Sequence, residues 1–422
     1  TGVSAQMKLA IIGSGIAGMA CAHYLQDSCD VHLLEAGPRL GGHTATVDVL
    51  LGGRRYAIDT GFIVYNDWTY PNFIALMDKL GVANKPTEMS FSLSDKATGL
   101  EYAGSNLNTL FAQRRNLVSP SFLGMLRDIL RFNRESVEHL EGGQVDAEIT
   151  LGDYLSRFGY GDAFREYYLI PMGSAIWSAD TPDMLAFPLQ FFVRFFHNHG
   201  LLSVKNRPQW RVIEGGSREY IKPLCAGFEH KVRVNCPVRS VRRLERGVEI
   251  ALGDNLVERF DHVVMACHSD QALALLQDPS EAESDILGAI PYQSNDVVLH
   301  TDARLLPRRR LAWSSWNYLR SGSEQRATLT YNMNILQGIE APETFCVTLN
   351  NTAAINPHRI LGRFNYDHPM FTLQGMRAQE RWAEINGRHT WYCGAYWRNG
   401  FLEDGVFSAL RVAESLPVSR SA

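Results

Sequence analysis

Three glycines, at positions 13, 15 and 18, carry the first chemical signal in the chain, because they stand where the apolar run Leu9-Ala10-Ile11-Ile12 gives way to helical spacing. That order predicts a buried strand, a tight turn and a helix. Gly13 permits the turn, Gly15 lets backbone approach a pyrophosphate, and Gly18 lets the helix lie close to the strand. Ser14, Ile16 and Ala17 complete the cradle, and the helix N-terminus adds unpaired N–H groups and a partial positive charge. A second apolar strand, Val31 to Leu34, leads into Glu35 and Ala36, and an acid there is placed to grip a ribose hydroxyl. The glycine triplet alone is weak. Strand, turn, helix, second strand and acid in this order describe a dinucleotide site.

Next come Arg39, Leu40, Gly41, Gly42 and His43. Paired glycines bring backbone N–H groups against phosphate or ribityl oxygens, where a side chain would collide. The run resembles the second FAD signature of the amine-oxidase, protoporphyrinogen-oxidase and phytoene-desaturase superfamily, whose usual form ends in Arg where this chain has His43. The resemblance continues in the superfamily's order. AIDTGF looks like its D-x-G element, which implies that Thr60, Gly61 and Phe62 lie near the isoalloxazine ring. RVNCPVRSVRR resembles the strand that meets adenine, which implies a contact from Val238. FDHVVMAC resembles the returning strand, with Cys267 at a position usually held by Thr. WYCGAYWRNGFLEDGVFSAL resembles the C-terminal FAD motif: Gly394 ends a strand, Glu403 joins the cofactor contacts, and Gly405 and Val406 turn N–H groups to the flavin N1 and O2 edge. A helix end there is worth about 0.3–1 kcal/mol and favours two-electron reduction. The implied cofactor is FAD, held without a covalent link, since no motif resembles a cysteine or histidine attachment sequence.

The elements that must position these residues follow from the rest of the pattern. The expected fold is α/β: a Rossmann-like FAD-binding domain of the amine-oxidase and glutathione-reductase type, with an inserted α+β substrate domain. The FAD-binding parts are expected at 7–63, 211–281 and 367–422. A helical excursion at 64–210 carries Phe122, Leu126, Ile129, Leu130, Val137 and Leu140 at helical spacing. Alternating segments at 282–366 predict the sheet of the substrate domain.

Composition bounds the function. The chain has 422 residues, 45% of them hydrophobic, and a net charge of −4, which suits large cores and gives no basic signature for nucleic acid. Arginine pairs such as Arg114–Arg115 read as solvated surface. Seven cysteines without C-x-x-C spacing argue for a reducing compartment. No signal peptide and no run of about 18 apolar residues is visible, so the expected location is cytoplasmic. Thr1 to Gln6, before Met7, look like a vector-derived scar or a weakly ordered tail. Met184 to Phe196, MLAFPLQFFVRFF, reads first as a core helix and second as a peripheral contact on the inner face of the cytoplasmic membrane. His197 and His199 have H-x-H spacing, but nothing completes a ligand set, and no metal is expected. G-x-S-x-G, H-E-x-x-H and G-K-[ST] are absent, which leaves flavin chemistry.

Over the whole chain, IDTGFIVYNDWTYPNF, LFAQRRNL, RPQWRVIEGGS, LHTDARLLPRRR and GAYWRNGFLEDG resemble a bacterial subgroup of these flavoproteins. That subgroup is similar to the flavin domain of plant cyclopropane-fatty-acid synthases and is associated with lipid methyltransferases. One branch resembles desaturases of methylated acyl chains on the route to furan fatty acids. The resemblance implies a lipid or fatty acyl substrate, hydride transfer to flavin N5, reoxidation by oxygen or a quinone, and a lipid methyltransferase as partner. Asn399 and Leu402 depart from the family pattern, and no lysine follows Lys231, which weakens an amine-oxidase reading. Candidate proton acceptors are His368, Tyr331 and His43. Two alternatives stay open: an amine or protoporphyrinogen-type oxidase, and a non-catalytic FAD-bound partner of a lipid methyltransferase.

Overall fold

The computed structural model describes residues 6–177, 181–198, 206–321 and 328–418. Thr1 to Ala5 and His199 lie outside them. The apolar run at the start forms the strand Lys8–Ile12, buried because it is central in a five-stranded parallel sheet. The sheet's order is Val232–Arg233, Asp30–Leu34, Lys8–Ile12, His262–Met265, Thr390–Tyr392. Helix Ile16–Leu25 follows the glycine turn and is buried along most of its length, packed against the C-terminal helix Leu402–Ser415. A small antiparallel sheet, Val238–Leu244, Gly247–Leu252 and Val257–Phe260, flanks this layer. The chain therefore has a Rossmann-like FAD-binding layer.

A seven-stranded sheet forms the second layer, in the order Ile360–Pro369, Tyr292–His300, Cys346–Leu349, Thr328–Asn332, Trp316–Arg320, Phe91–Asp95, Glu101–Ala103. Its pairings are antiparallel except between Trp316–Arg320 and Phe91–Asp95. The register Gln293 to His368, Asn295 to Tyr366, Val297 to Phe364 and Leu299 to Gly362 puts alternate side chains on one face. Val297, Leu299, Leu329 and Val347 share a core with Val49 and Ile58 of the hairpin Thr46–Leu51 and Arg54–Asp59. The hairpin thus fixes the sheet above the flavin-binding turns.

Several expected boundaries move. Two strands of the 64–210 excursion, Phe91–Asp95 and Glu101–Ala103, complete the sheet expected only from 282–366. The cut at 366/367 falls inside Ile360–Pro369, the cut at 210/211 inside Trp210–Ile213, and the cut at 281/282 inside helix Glu281–Leu287. Strand partners are chosen by tertiary pairing, which composition does not register. Met184, Phe187, Leu189, Phe191, Phe192, Phe195 and Phe196 are all buried, so this stretch is core and carries no lipid contact. Among the described residues, no helix is long and apolar enough to cross a membrane.

Candidate functional site

The glycine turn divides its labour as the spacing predicts. Gly13 has φ +109°, and a Cβ there would lie 2.7 Å from the Ala266 carbonyl oxygen. A Cβ on Gly18 would overlap the Gly13 carbonyl. Gly15 differs: a Cβ there meets nothing within 4 Å, so its backbone faces open space. Gly42, with φ +57°, backs onto Gly15, where a Cβ on Gly42 would lie 3.1 Å from Gly15 Cα, and the Gly41 N–H donates to the Ser14 carbonyl at 2.9 Å. Arg39 clamps this second turn through the carbonyls of Thr44 at 3.1 Å and Gly42 at 3.0 Å. Ser14 Oγ and the Gly37 N–H donate to Glu35, the latter at 2.8 Å. The Cys236 N–H bonds the Glu35 carbonyl at 2.8 Å, which draws the start of the Val238 strand to this end of the sheet. Cys267 sits beside Gly13, its thiol pushed up to about 12 by burial. An open backbone cradle between tightly packed turns fits the pyrophosphate of FAD.

Towards the flavin end, Gly61 is required because a Cβ would overlap the His43 carbonyl, which accepts from the Phe62 N–H at 2.8 Å. Thr60 Oγ1 and the Tyr366 hydroxyl are 2.8 Å apart, joining this turn to the large sheet. Asp59 anchors the turn from beneath. Its carboxylate accepts from Thr46 Oγ1 at 2.7 Å, the Ser217 N–H at 2.9 Å and Ser217 Oγ at 3.0 Å. Burial nevertheless pushes its pKa up to about 6.

The C-terminal motif is corrected in detail. The helix begins at Leu402, so the Gly405 N–H already bonds the Phe401 carbonyl at 3.1 Å, and the Val406 N–H falls within the regular ladder. The N–H groups left without an intrahelical partner are those of Leu402 and Glu403. Gly405 instead permits a close crossing, since a Cβ would lie 2.7 Å from Ile16 Cγ2. Gly394 is equally tight against the Tyr396 ring, at 2.6 Å. The Glu403 carboxylate is turned from the cofactor site to the N-terminus of helix Pro71–Leu80, accepting from the Asn72 N–H at 3.0 Å and the Phe73 N–H at 2.8 Å.

His43 and His368 come together. Their rings stack at 5.2 Å between centroids, His43 stacks on His268 at 5.7 Å, and His268 stacks on Tyr292 at 4.5 Å. Burial, then the neighbouring imidazoles, depresses His43 to about 3 and His368 to about 4, and burial lowers His268 as well. His268 escapes sequence reading, although its place directly after Cys267 puts it at the end of the returning strand. Tyr331 does not join the group. It lies three strands away in the sheet, its ring 5.7 Å from Trp316, with its hydroxyl pushed up by burial.

Hydrogen bonds fix the His368 tautomer. The Asp296 backbone N–H donates to Asn350 Oδ1 at 3.0 Å, so the Asn350 amide nitrogen faces Asn295 Oδ1, 2.8 Å away. Asn295 Nδ2 then points at His368 Nδ1, at 2.9 Å. Nδ1 must accept, and the ring proton resides on Nε2. His368 also lines a shallow crevice with Trp177, Phe187, Met370, Phe371 and Asp183, about 380 Å3 of empty space when the open solvent at its mouth is included.

Comparison with known proteins agrees with this architecture. The family model for flavin-containing amine oxidoreductases matches residues 16–334, and the chain belongs to that family. That family is one of flavin-containing oxidoreductases. A protoporphyrinogen oxidase of Schizosaccharomyces pombe is 28% identical over 131 residues, covering 30% of this chain and 26% of that protein. A protein of Mycobacterium tuberculosis named as a flavin-containing monoamine oxidase is 24% identical over 286 residues, 65% of this chain and 59% of the relative. The chain thus spans about a quarter and three fifths of these relatives' lengths. Among solved structures, cyclohexylamine oxidase from Brevibacterium oxydans superposes with a TM-score of 0.67 at 16% identity, over 97% of this chain and 99% of that one. A fatty acid isomerase from P. acnes that produces CLA gives 0.69 at 15% identity, over 98% and 100%. These likenesses show the fold.

Proposed function

We propose that the protein desaturates methyl-branched unsaturated fatty acyl chains, removing a hydride and a proton from neighbouring carbons of a chain entering the crevice lined by His368. The crevice carries this reading: aromatic and aliphatic walls suit a hydrocarbon, and the imidazole in its lining is held neutral. The likeness to a fatty acid isomerase supports it, since a protein of this fold is named for action on a fatty acid.

FAD, when bound through the Gly15 and Gly42 cradle, supplies the hydride acceptor, with oxygen or a quinone taking the electrons onward. The chain's own residues position the substrate and receive the proton. His368 presents its Nε2–H, since Nδ1 is engaged by Asn295. His43 bonds the Asp367 carbonyl through one ring nitrogen, leaving the other to accept a proton. Once hydride has left, the neighbouring C–H is strongly acidic, so a weakly basic imidazole suffices. Phe371, stacked on Phe191 at 5.1 Å, and Phe401, stacked on Phe195 at 4.9 Å, give this region a rigid apolar backing. A lipid methyltransferase, which would supply the methyl branch, is the partner class we propose.

Asp183 favours a second reading, because a carboxylate in the lining suits an ammonium group and hence an amine substrate. Mass spectrometry of phospholipids bearing methyl-branched monounsaturated chains, after aerobic incubation with holoenzyme, separates the two. Dehydrogenated acyl chains support desaturation. Unchanged lipid, with aldehyde and hydrogen peroxide formed from amines, contradicts it.

A further inference from the structure

The segment 114–134 combines exposed apolar side chains with arginines in a way the catalytic site does not use. The 3-10 turn Arg114–Val118 leads into helix Pro120–Glu141. Across this junction Leu117 is 53% exposed, Val118 81%, Leu123 43% and Leu130 61%. Pro120, Leu123, Arg127, Leu130 and Arg134 follow one another at spacings of three and four, so they share one outward helix face. Arg114, Arg115, Arg127 and Arg134 are exposed among them. Asp128 is the one acid within 114–134; it is half-buried, 3.4 Å from Arg131, and beyond Arg134 the exposed Glu138 and Glu141 continue the same spacing and bound the basic stretch at its C-terminal end. On the neighbouring segment Glu166 is paired with Arg320 at 3.6 Å, while Asp162 is exposed.

We infer that this face is a docking surface for an anionic phospholipid bilayer, with Val118, Leu123 and Leu130 entering the headgroup boundary and Arg115 and Arg127 meeting lipid phosphates. Charge complementarity selects this occupant: within 114–130 the exposed Arg114, Arg115 and Arg127 stand against the single half-buried acid Asp128, on a chain whose net charge is −4. Among the described residues, Arg115 and Arg127 make no ion pair, whereas Arg134 stands 3.6 Å from Glu135. Arg115 also lines an open groove with Ser119, Ser121, Phe122, Met125 and Tyr167, which offers a phosphate two hydroxyls beside the guanidinium and an apolar floor beneath. Arginine and aliphatic side chains interleaved on one helix face are the pattern of an interfacial helix. The surface stands whether or not the substrate is an acyl chain.

Flotation of the FAD-loaded protein with vesicles tests this directly. Binding is expected to phosphatidylcholine vesicles containing phosphatidylglycerol, to weaken as salt rises, and to be far weaker with phosphatidylcholine alone. A Val118→Asp, Leu123→Asp double variant is expected to bind at least about tenfold more weakly, since each side chain removed from lipid accounts for roughly that factor. Arg115→Gln with Arg127→Gln is expected to lower binding and flatten its salt dependence. Both variants should keep wild-type flavin content and melting temperature, because the altered side chains are exposed. Equal binding to neutral and anionic vesicles, or unchanged binding in Val118→Asp, Leu123→Asp, overturns the inference. A concentration-dependent dimer that this variant dissociates, without vesicle binding, assigns the face to a second copy instead.

Discussion

The glycine cradle and the histidine stack meet at the second glycine turn, where His43 follows Gly42, and they are built in different ways. The cradle comes from one continuous stretch, Gly13 to Gly18, backed by Gly41 and Gly42, and backbone fit determines it. The stack takes His43 from beside the second glycine turn, His268 from the end of a strand and His368 from the edge of the large sheet. The first tolerates no side chain in most of its positions. The second depends on protonation states set by neighbours. Cofactor binding should therefore break through sterics, and chemistry through hydrogen bonds.

Glycine substitutions separate these most sharply. Gly18→Val collides with the Gly13 carbonyl and should prevent stable folding, costing about 1–3 kcal/mol or more. Gly15→Val meets no protein atom, so the chain should fold with a near wild-type circular dichroism spectrum and lose its FAD. Retained FAD in Gly15→Val would show that the open space before Gly15 is not the pyrophosphate site. In the wild type, acid precipitation should release all the flavin.

Asn295→Asp acts on the stack. A carboxylate beside His368 Nδ1 would favour a proton there, reverse the tautomer and raise the ring from about 4 by about 1–3 units. The pH profile of kcat/KM should gain an ionisation nearer neutrality. Asn350→Ala should shift it the same way by less. His43, His268, Asp367 and Tyr366 also face or adjoin the stack and set its baseline, so their variants serve as comparisons. Profiles unchanged in both asparagine variants would remove the relay from the account.

Stability should fall in mild acid. His262 and His300 are buried and depressed to about 4, against an ordinary value of 6.5. The unfolded chain therefore takes up their protons first. The stability they contribute is complete above pH 6.5 and is lost as pH falls towards 4, at about 1.4 kcal/mol per ring per pH unit. Asp59, raised to about 6, works in the opposite sense, since its burial costs stability above that pH and the cost is relieved below it. His43 and His368, held at about 3 and 4, add to the loss, and Asp404, raised to about 7 by burial, adds to the relief; four rings outweigh two carboxyls, so melting temperature should decline between pH 6.5 and 4. A flat profile contradicts these burials. The smallest effect is expected from Thr60→Val, which removes the Tyr366 bond and the one that Thr60 Oγ1 donates to the Ala45 carbonyl at 3.0 Å, each at about 0.5–1.5 kcal/mol by denaturant titration.

Legibility in sequence followed the same division. The cradle was readable because strand, turn and helix are local and each glycine has a separate steric reason. His43 and His368 were readable as polar groups but not as a stack, since their meeting depends on the register of Ile360–Pro369 over the second glycine turn. Tyr331 looked equivalent to His368 in sequence and lies three strands from it, because sheet order does not follow chain order. Gly405 drew notice as a helix start, whereas Asp404 caps the Phe401 N–H at 2.9 Å and starts the helix earlier. The Phe-rich stretch before His197 reads in sequence as a core helix first and a lipid contact second, and the packing of Trp177, Phe187 and Phe371 around it decides for core.

Anaerobic mixing of the oxidised holoenzyme with candidate substrates, followed by flavin absorbance, tests the central claim most directly. Methyl-branched unsaturated phospholipid or fatty acid should bleach the flavin within the time of turnover, while putrescine and other primary amines leave it yellow, and Phe371→Trp should slow bleaching by filling the crevice without releasing FAD. Rapid bleaching by a primary amine, with no response to lipid, would contradict the acyl assignment and place Asp183 at the centre of an amine site.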